Sequence, residues 1–166
     1  MATNPTNPLL PQQSDTISDV FVRTWYLDNR VVGYVFSRIT AADLETWSAT
    51  IVQTLQAWPV TQPYLALYDL SSRGVALPYI VGTRHEVFSL GINDIAEETI
   101  REIIDQRPNF TARIAVIFNS AYSGNLGQVF ARTRQASQNP RIQFNSFMDS
   151  KSALAWLTNL SPLNND

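Results

Sequence analysis

Two short polar segments carry the side chains of this chain that could bind or transform a ligand. The first segment follows an apolar run and comprises Asp69, Ser71, Ser72 and Arg73. The second segment follows another apolar run and comprises Asn119, Ser120, Tyr122, Ser123, Gly124 and Asn125. A guanidinium group, hydroxyl groups and the free N–H groups of a helix start can together hold a carboxylate or a phosphate. The same residue types also form ordinary turns and helix caps, so a purely structural role stays open for both segments.

A serine hydrolase or transferase is the alternative use of the same two segments, at residues 71–74 and 119–125, with His85 or Asp69 as the base. The chain has one His and no Cys, which excludes thiolate nucleophiles, disulfide frameworks and His-cluster zinc sites. It also lacks a nucleophile elbow, a GxGxxG phosphate loop and a calcium-loop spacing. We therefore assign no catalytic residue, no metal ligand and no cofactor.

The composition describes one globular domain. The 166 residues are 45% hydrophobic and 16% charged, with a formal net charge of −2, so the chain lacks the basic surplus that gives nucleic-acid binding its affinity. We find no apolar stretch long enough to span a membrane and no secretory signal, and expect a cytoplasmic protein. We expect a flexible tail over residues 1–18, a single domain over 19–160 and a C-terminal tail over 161–166.

The elements that must position the two polar segments follow from periodicity. Residues 20–27 and 31–37 predict a β-hairpin, and strands are predicted at 64–70, 112–118 and 141–147. Helices are predicted from Thr40 to Trp58, from Asp94 to Gln106, from Asn125 to Ser137 and from Asp149 or Ser150 onward, while residues 78–92 are ambiguous. The fold class is α/β: a mixed, mostly parallel sheet of about five strands, opened by the hairpin and covered by four or five helices. Both polar segments then follow strands of this sheet.

The helix from Asp94 carries several carboxylates, at Glu97, Glu98, Glu102 and Asp105. Arg101 lies four residues after Glu97, and the apolar face is taken by Ile95, Ile100, Ile103 and Ile104. A solvated, ion-paired face is therefore a better interpretation than a metal site.

Four stretches of the chain, together with the predicted order of strands and helices, resemble a known family. They are the hairpin leading into Ile39–Leu44, the strand Tyr64–Ser71, the strand Arg113–Phe118, and the ending Phe147–Ser150 followed by Ala153–Leu157. Together they resemble the STAS and SpoIIAA-like families, named after bacterial anti-sigma-factor antagonists. The acidic cap before an Ala-Leu-x-Trp-Leu helix looks most like the SpoIIAA-like branch.

The resemblance implies a non-enzymatic module in bacterial regulation. Its partner would be a protein or a small, partly apolar anion, and a homodimer stays open. Signalling members carry a phosphorylatable Ser in an Asp-Ser-Ser-Gly box, whereas this chain has Leu70 after the Asp and Arg73 before the Gly, which argues against a phosphoswitch. The stretch 75–93 is longer than a minimal member needs and leaves room for a cover over a ligand crevice.

Overall fold

The computed structural model describes residues 10–40, 42–75, 92–119 and 140–159. Eight strands and three α-helices lie within these ranges. The strands are β1 (Gln13–Thr16), β2 (Phe21–Tyr26), β3 (Val31–Phe36), β4 (Arg38–Ile39), β5 (Tyr64–Leu70), β6 (Gly74–Val75), β7 (Ala112–Phe118) and β8 (Ile142–Phe147). The helices are α1 (Asp43–Ala57), α2 (Asp94–Asp105) and α3 (Ser150–Thr158). The predicted α/β class is confirmed.

A six-stranded mixed sheet in the order β1-β2-β3-β5-β7-β8 forms the centre of the fold. β1, β2 and β3 are antiparallel neighbours, whereas β3, β5, β7 and β8 run parallel to one another. The register places Tyr34 of β3 opposite Tyr68 of β5, and Leu70 opposite Phe118 of β7. β4 and β6 form a separate parallel pair. The carboxyl ends of four strands therefore meet at one edge of the sheet.

The first strand lies inside the segment that the sequence predicts as a flexible tail. Gln13–Thr16 pair in antiparallel fashion with β2, so the sheet begins earlier than the predicted domain boundary at residue 19. All four residues are polar and three of them are exposed, so this edge strand lacks the apolar alternation by which strands are recognised. The carboxylate of Asp15 holds it in place, because it accepts hydrogen bonds from Arg23 and from the indole of Trp25.

Each face of the sheet is covered by helices. α1 and α2 cover one face, where the core includes Tyr34, Tyr64 and Tyr68 from the sheet. α3 covers the other face, where it packs on Leu65, Leu67, Ala115 and Ile117. The apolar stripe predicted for α1 comprises Leu44, Trp47, Ile51, Leu55 and Trp58. The last four are buried, and Leu44 is partly buried against the same core.

The second helix differs from its prediction in two details. Asn93 caps the helix by accepting a hydrogen bond from the N–H of Ala96 at 2.9 Å, whereas the spacing of Asp94 and Glu97 predicts Asp94 as the cap. Ile95 is 79% exposed and not part of the buried face, because five residues rotate it by about 140° from the buried Ile100. Glu97 lies three residues before Ile100 and is buried, although it keeps the expected ion pair with Arg101 at 3.2 Å.

The closing helix agrees with its prediction. Asp149 caps it by accepting hydrogen bonds from the N–H and the hydroxyl of Ser152 at 2.8 and 2.9 Å, and these bonds lower the pKa of the Asp149 carboxyl. Ala153, Leu154 and Leu157 are buried, and Trp156 is half-buried beside Phe147. Residues 78–91 and 125–137, for which helices are considered, and the tail at 161–166 lie outside the described residues, and Ile92 is described but is not part of a helix.

Candidate functional site

The site lies where the parallel strands end, as expected for a ligand crevice in an open α/β sheet. Ser37 follows β3, Ser71–Arg73 follow β5 and Asn119 follows β7. Because β3, β5 and β7 are parallel neighbours, the register brings these three strand ends side by side. We call this group of residues, Ser37, Ser71–Arg73 and Asn119, the carboxyl edge.

The loop after β5 is a closed turn. The carboxylate of Asp69 accepts a hydrogen bond from the N–H of Ser71 at 3.0 Å, which is the geometry of an Asx turn. The carbonyl of Ser72 accepts from the N–H of Val75 at 3.1 Å, and β6 then pairs with β4. Residues 71–74 therefore form a turn, which is the structural role that the sequence leaves open for them. The half-buried Asp69 stabilises the backbone of this turn.

Two further hydrogen bonds join this turn to the neighbouring strand ends. The side-chain amide of Asn119 donates to the carbonyl of Ser71 at 3.1 Å. The hydroxyl of Ser72 donates to the carbonyl of Ser37 at 2.7 Å. The turn is thus held from both sides, by β7 and by β3. Ser37 could not be identified from the sequence, because a Ser after a strand is too common to indicate a contact with a residue 35 positions away.

Two arginines, Arg73 and Arg38, and two aspartates, Asp69 and Asp19, carry the charge at and beside the carboxyl edge. Arg73 is exposed in the turn between the two anchored serines and β6. Arg38, which lies opposite Gly74 in the β4–β6 pair, forms an exposed ion pair with Asp19 at 2.8 Å. A guanidinium group in this position can form paired hydrogen bonds with a carboxylate or a phosphate, and its attraction falls with salt because it faces solvent.

The remaining predicted residues of the site lie outside the described part of the chain. They are Ser120, Tyr122, Ser123, Gly124 and Asn125, and the same holds for His85. Of the second polar segment, the described part is Asn119, and it is joined to the first segment through Ser71. The placement of Asp69, Ser71, Ser72 and Arg73 is given above.

A hydroxyl and a carboxylate at the carboxyl edge, those of Ser72 and Asp69, form hydrogen bonds with main-chain groups. The hydroxyl of Ser72 donates to a main-chain carbonyl, and Asp69 accepts from a main-chain N–H. A nucleophile would instead donate its proton to a basic side chain. Among the described residues no group of three His, Cys, Asp or Glu side chains could hold a metal ion.

A cluster of buried phenols lies away from the edge, between α1 and the sheet. Tyr34, Tyr64 and Tyr68 are almost fully buried, and burial raises the pKa of each hydroxyl. Trp47 packs edge-on against Tyr34 and Tyr68, with ring centroids 4.8 and 5.2 Å apart. These aromatic residues therefore build the core, and the hydroxyl groups of Tyr34, Tyr64 and Tyr68 are enclosed in it.

Comparisons with known proteins identified no relative of this chain. No protein-family model, no curated protein and no solved structure matches this chain. In the part of the chain that the structure describes, no helix has the length and apolar character needed to cross a membrane.

Proposed function

We propose that this chain is a non-enzymatic binding module of the STAS or SpoIIAA-like type, which takes a small oxyanion at the carboxyl edge of its sheet. The observation that carries the proposal is that hydrogen bonds join three strand ends beside the exposed Arg73, while the neighbouring Arg38 is paired with Asp19. Asn119 binds Ser71, Ser72 binds Ser37, and Arg73 lies in the turn between them and β6.

The proposal is supported by the rigidity of the turn. A cationic side chain on a loop loses more conformational freedom on binding when the loop itself must be ordered. Here the backbone of the turn is fixed by Asp69, Asn119 and the β4–β6 pair before any ligand arrives. Binding then has to order little more than the Arg73 side chain.

The choice of a binding module over an enzyme is supported by how the polar groups are used. Ser72 and Asp69 both satisfy main-chain groups, so neither is set up for proton transfer. The remaining interaction that the edge offers is charge recognition by a guanidinium group, which suits carboxylates and phosphates. The family resemblance supports a role in bacterial regulation, and we propose the cytoplasm as its compartment because we find no secretory signal in the sequence.

The proposal is tested by thermal-shift measurements with a panel of carboxylates and inorganic phosphate. The wild-type protein is compared with Arg73→Ala and with Arg30→Ala, a control that removes an exposed arginine from the β2–β3 turn at the opposite edge. We expect stabilisation of wild type and Arg30→Ala that weakens with salt, and its loss in Arg73→Ala. Equal stabilisation of all three proteins, or of none, would overturn the proposal, and in the second case a protein partner becomes the occupant to look for.

A further inference from the structure

The edge strand β1 is attached to the sheet by polar contacts. None of Gln13–Thr16 belongs to the hydrophobic core, and only Asp15 among them is half-buried. The free energy that holds an edge strand usually comes from the apolar side chains on its buried face. β1 lacks such side chains. Detaching β1 therefore breaks hydrogen bonds that water can replace, and none of its own side chains leaves the hydrophobic core.

The partners of β1 lie along β2 and its turn. The carboxylate of Asp15 accepts from Arg23 at 3.1 and 3.3 Å and from the indole of Trp25 at 3.3 Å. Just before the strand, the N–H of Gln12 donates to the carbonyl of Trp25, and its side chain accepts from the N–H of Asp28. β2 therefore presents a surface for an extended segment with a carboxylate opposite Arg23.

The connection between β1 and β2 is short and its base is fixed. Ser37 donates two hydrogen bonds to the carbonyl of Val20, from its N–H at 2.8 Å and from its hydroxyl at 3.0 Å. Ahead of Val20, the turn is closed by a 3.3 Å bond from the N–H of Ser18 to the carbonyl of Phe21. A short hinge between a fixed strand and a polar terminal strand favours exchange of the terminal strand between two copies.

We propose that the edge of β2 is an interaction surface for a second copy of this chain, with β1 of each copy pairing with β2 of the other. We choose a second copy as the partner because it supplies its own β1. This strand pairs with β2 in a defined register and places the carboxylate of Asp15 beside Arg23. Each contact of Asp15 and Gln12 is regenerated in the exchanged dimer. The change of conformation is confined to the turn at residues 17–19, where the bond from Ser18 to Phe21 opens and Ile17, which packs against the core, has to shift. The contact is two-fold symmetric and closes on itself.

The exchange is tested with paired cysteines, since the natural chain has none. Thr16 lies opposite Val22 across β1 and β2, so Thr16→Cys/Val22→Cys places two thiols within reach of a disulfide. The control pair is Val22→Cys/Val35→Cys, which shares one position but joins β2 to β3 of the same body. Both proteins are incubated at a series of concentrations, oxidised and run on a non-reducing gel.

We expect the Thr16/Val22 pair to give covalent dimers in a share that rises with concentration, and the Val22/Val35 pair to give covalent monomers throughout. Adding Asp15→Asn to the first pair accelerates dimer formation by about tenfold, which corresponds to about 1.4 kcal/mol. Monomers alone from the first pair, or equal dimer yields from both pairs, overturn the proposal.

The wild-type chain provides a second readout that does not depend on how the variants fold. Isotope-labelled and unlabelled protein are mixed at high concentration and examined by native mass spectrometry. Exchange predicts dimers of intermediate mass that appear with time, whereas a spectrum with monomers alone contradicts it.

Discussion

The side-chain amide of Asn119 donates a hydrogen bond to the main-chain carbonyl of Ser71 across 3.1 Å. The two residues are 48 positions apart in the chain and follow neighbouring parallel strands. Because the bond ends on a backbone atom, it fixes the path of the turn and leaves the Ser71 side chain unconstrained by this contact. The geometry of the carboxyl edge therefore depends on a residue that does not need to touch the ligand.

Replacing Asn119 by Ala should loosen this turn. A hydrogen bond of this kind contributes about 1 kcal/mol, so we expect a small fall in the melting temperature. The stabilisation by phosphate should fall as well, since Arg73 is then carried on a less ordered loop. Asn109→Ala, which changes an exposed Asn just before β7, is the control. An anion response unchanged in Asn119→Ala would show that this bond does not position the site.

Truncating α3 in its core should be far more costly. Leu154 is fully buried against the sheet, and Leu154→Ala should lower the free energy of unfolding by about 2 to 5 kcal/mol. Lys151→Ala, at an exposed position of the same helix, should change it by less than about 0.5 kcal/mol. Chemical denaturation of the three proteins measures both values. Similar midpoints for Leu154→Ala and wild type would contradict the packing described for this helix.

The buried phenols should govern alkaline stability. Burial raises the pKa of Tyr34, Tyr64 and Tyr68, so these groups stay neutral in the folded protein above the pH at which they ionise in the unfolded chain. Stability is then fully present below the ordinary tyrosine pKa and is lost as the pH rises above it. In a spectrophotometric titration, at least three of the six tyrosines should ionise only together with unfolding. Ionisation of all six while the circular dichroism stays native would contradict the assignment.

Deleting residues 1–16 should leave a folded chain with a weaker sheet. The deletion removes β1 and the Asp15 contacts, and we expect a loss of about 1 to 2 kcal/mol, since Asp15 is partly exposed. A chain lacking residues 1–9 is the reference, because it retains β1. If the two truncated chains unfold at the same temperature, β1 makes no contribution to stability.

The fold class was predictable because its main elements are apolar and periodic. Leu55 and Ile51 in α1, and Ile114 and Val116 in β7, are buried where the spacing of apolar residues places them. β1 was not predictable, since Ser14 and Asp15 form a polar edge strand that owes its place to Arg23 and not to burial.

The candidate site was predictable only in part. Asp69 and Ser71 are residue types that favour turns, so a turn after this strand could be predicted. The order of the strands indicates the edge of the sheet at which the turn lies. The partners of that bend do not follow from local sequence: the bond from Asn119 to Ser71 and the bond from Ser72 to Ser37 depend on strand register. The exposure of Ile95 was missed for a different reason, because the number of apolar residues in a helix does not fix which of them face inward.

The most direct test of the central claim is a titration of isotope-labelled protein with inorganic phosphate, followed by amide chemical shifts. The account predicts saturable shifts confined to the carboxyl edge, at Ser37, Ser71–Arg73 and Asn119, that weaken with salt and vanish in Arg73→Ala. Shifts centred elsewhere, or shifts at the edge that persist in Arg73→Ala, would contradict it.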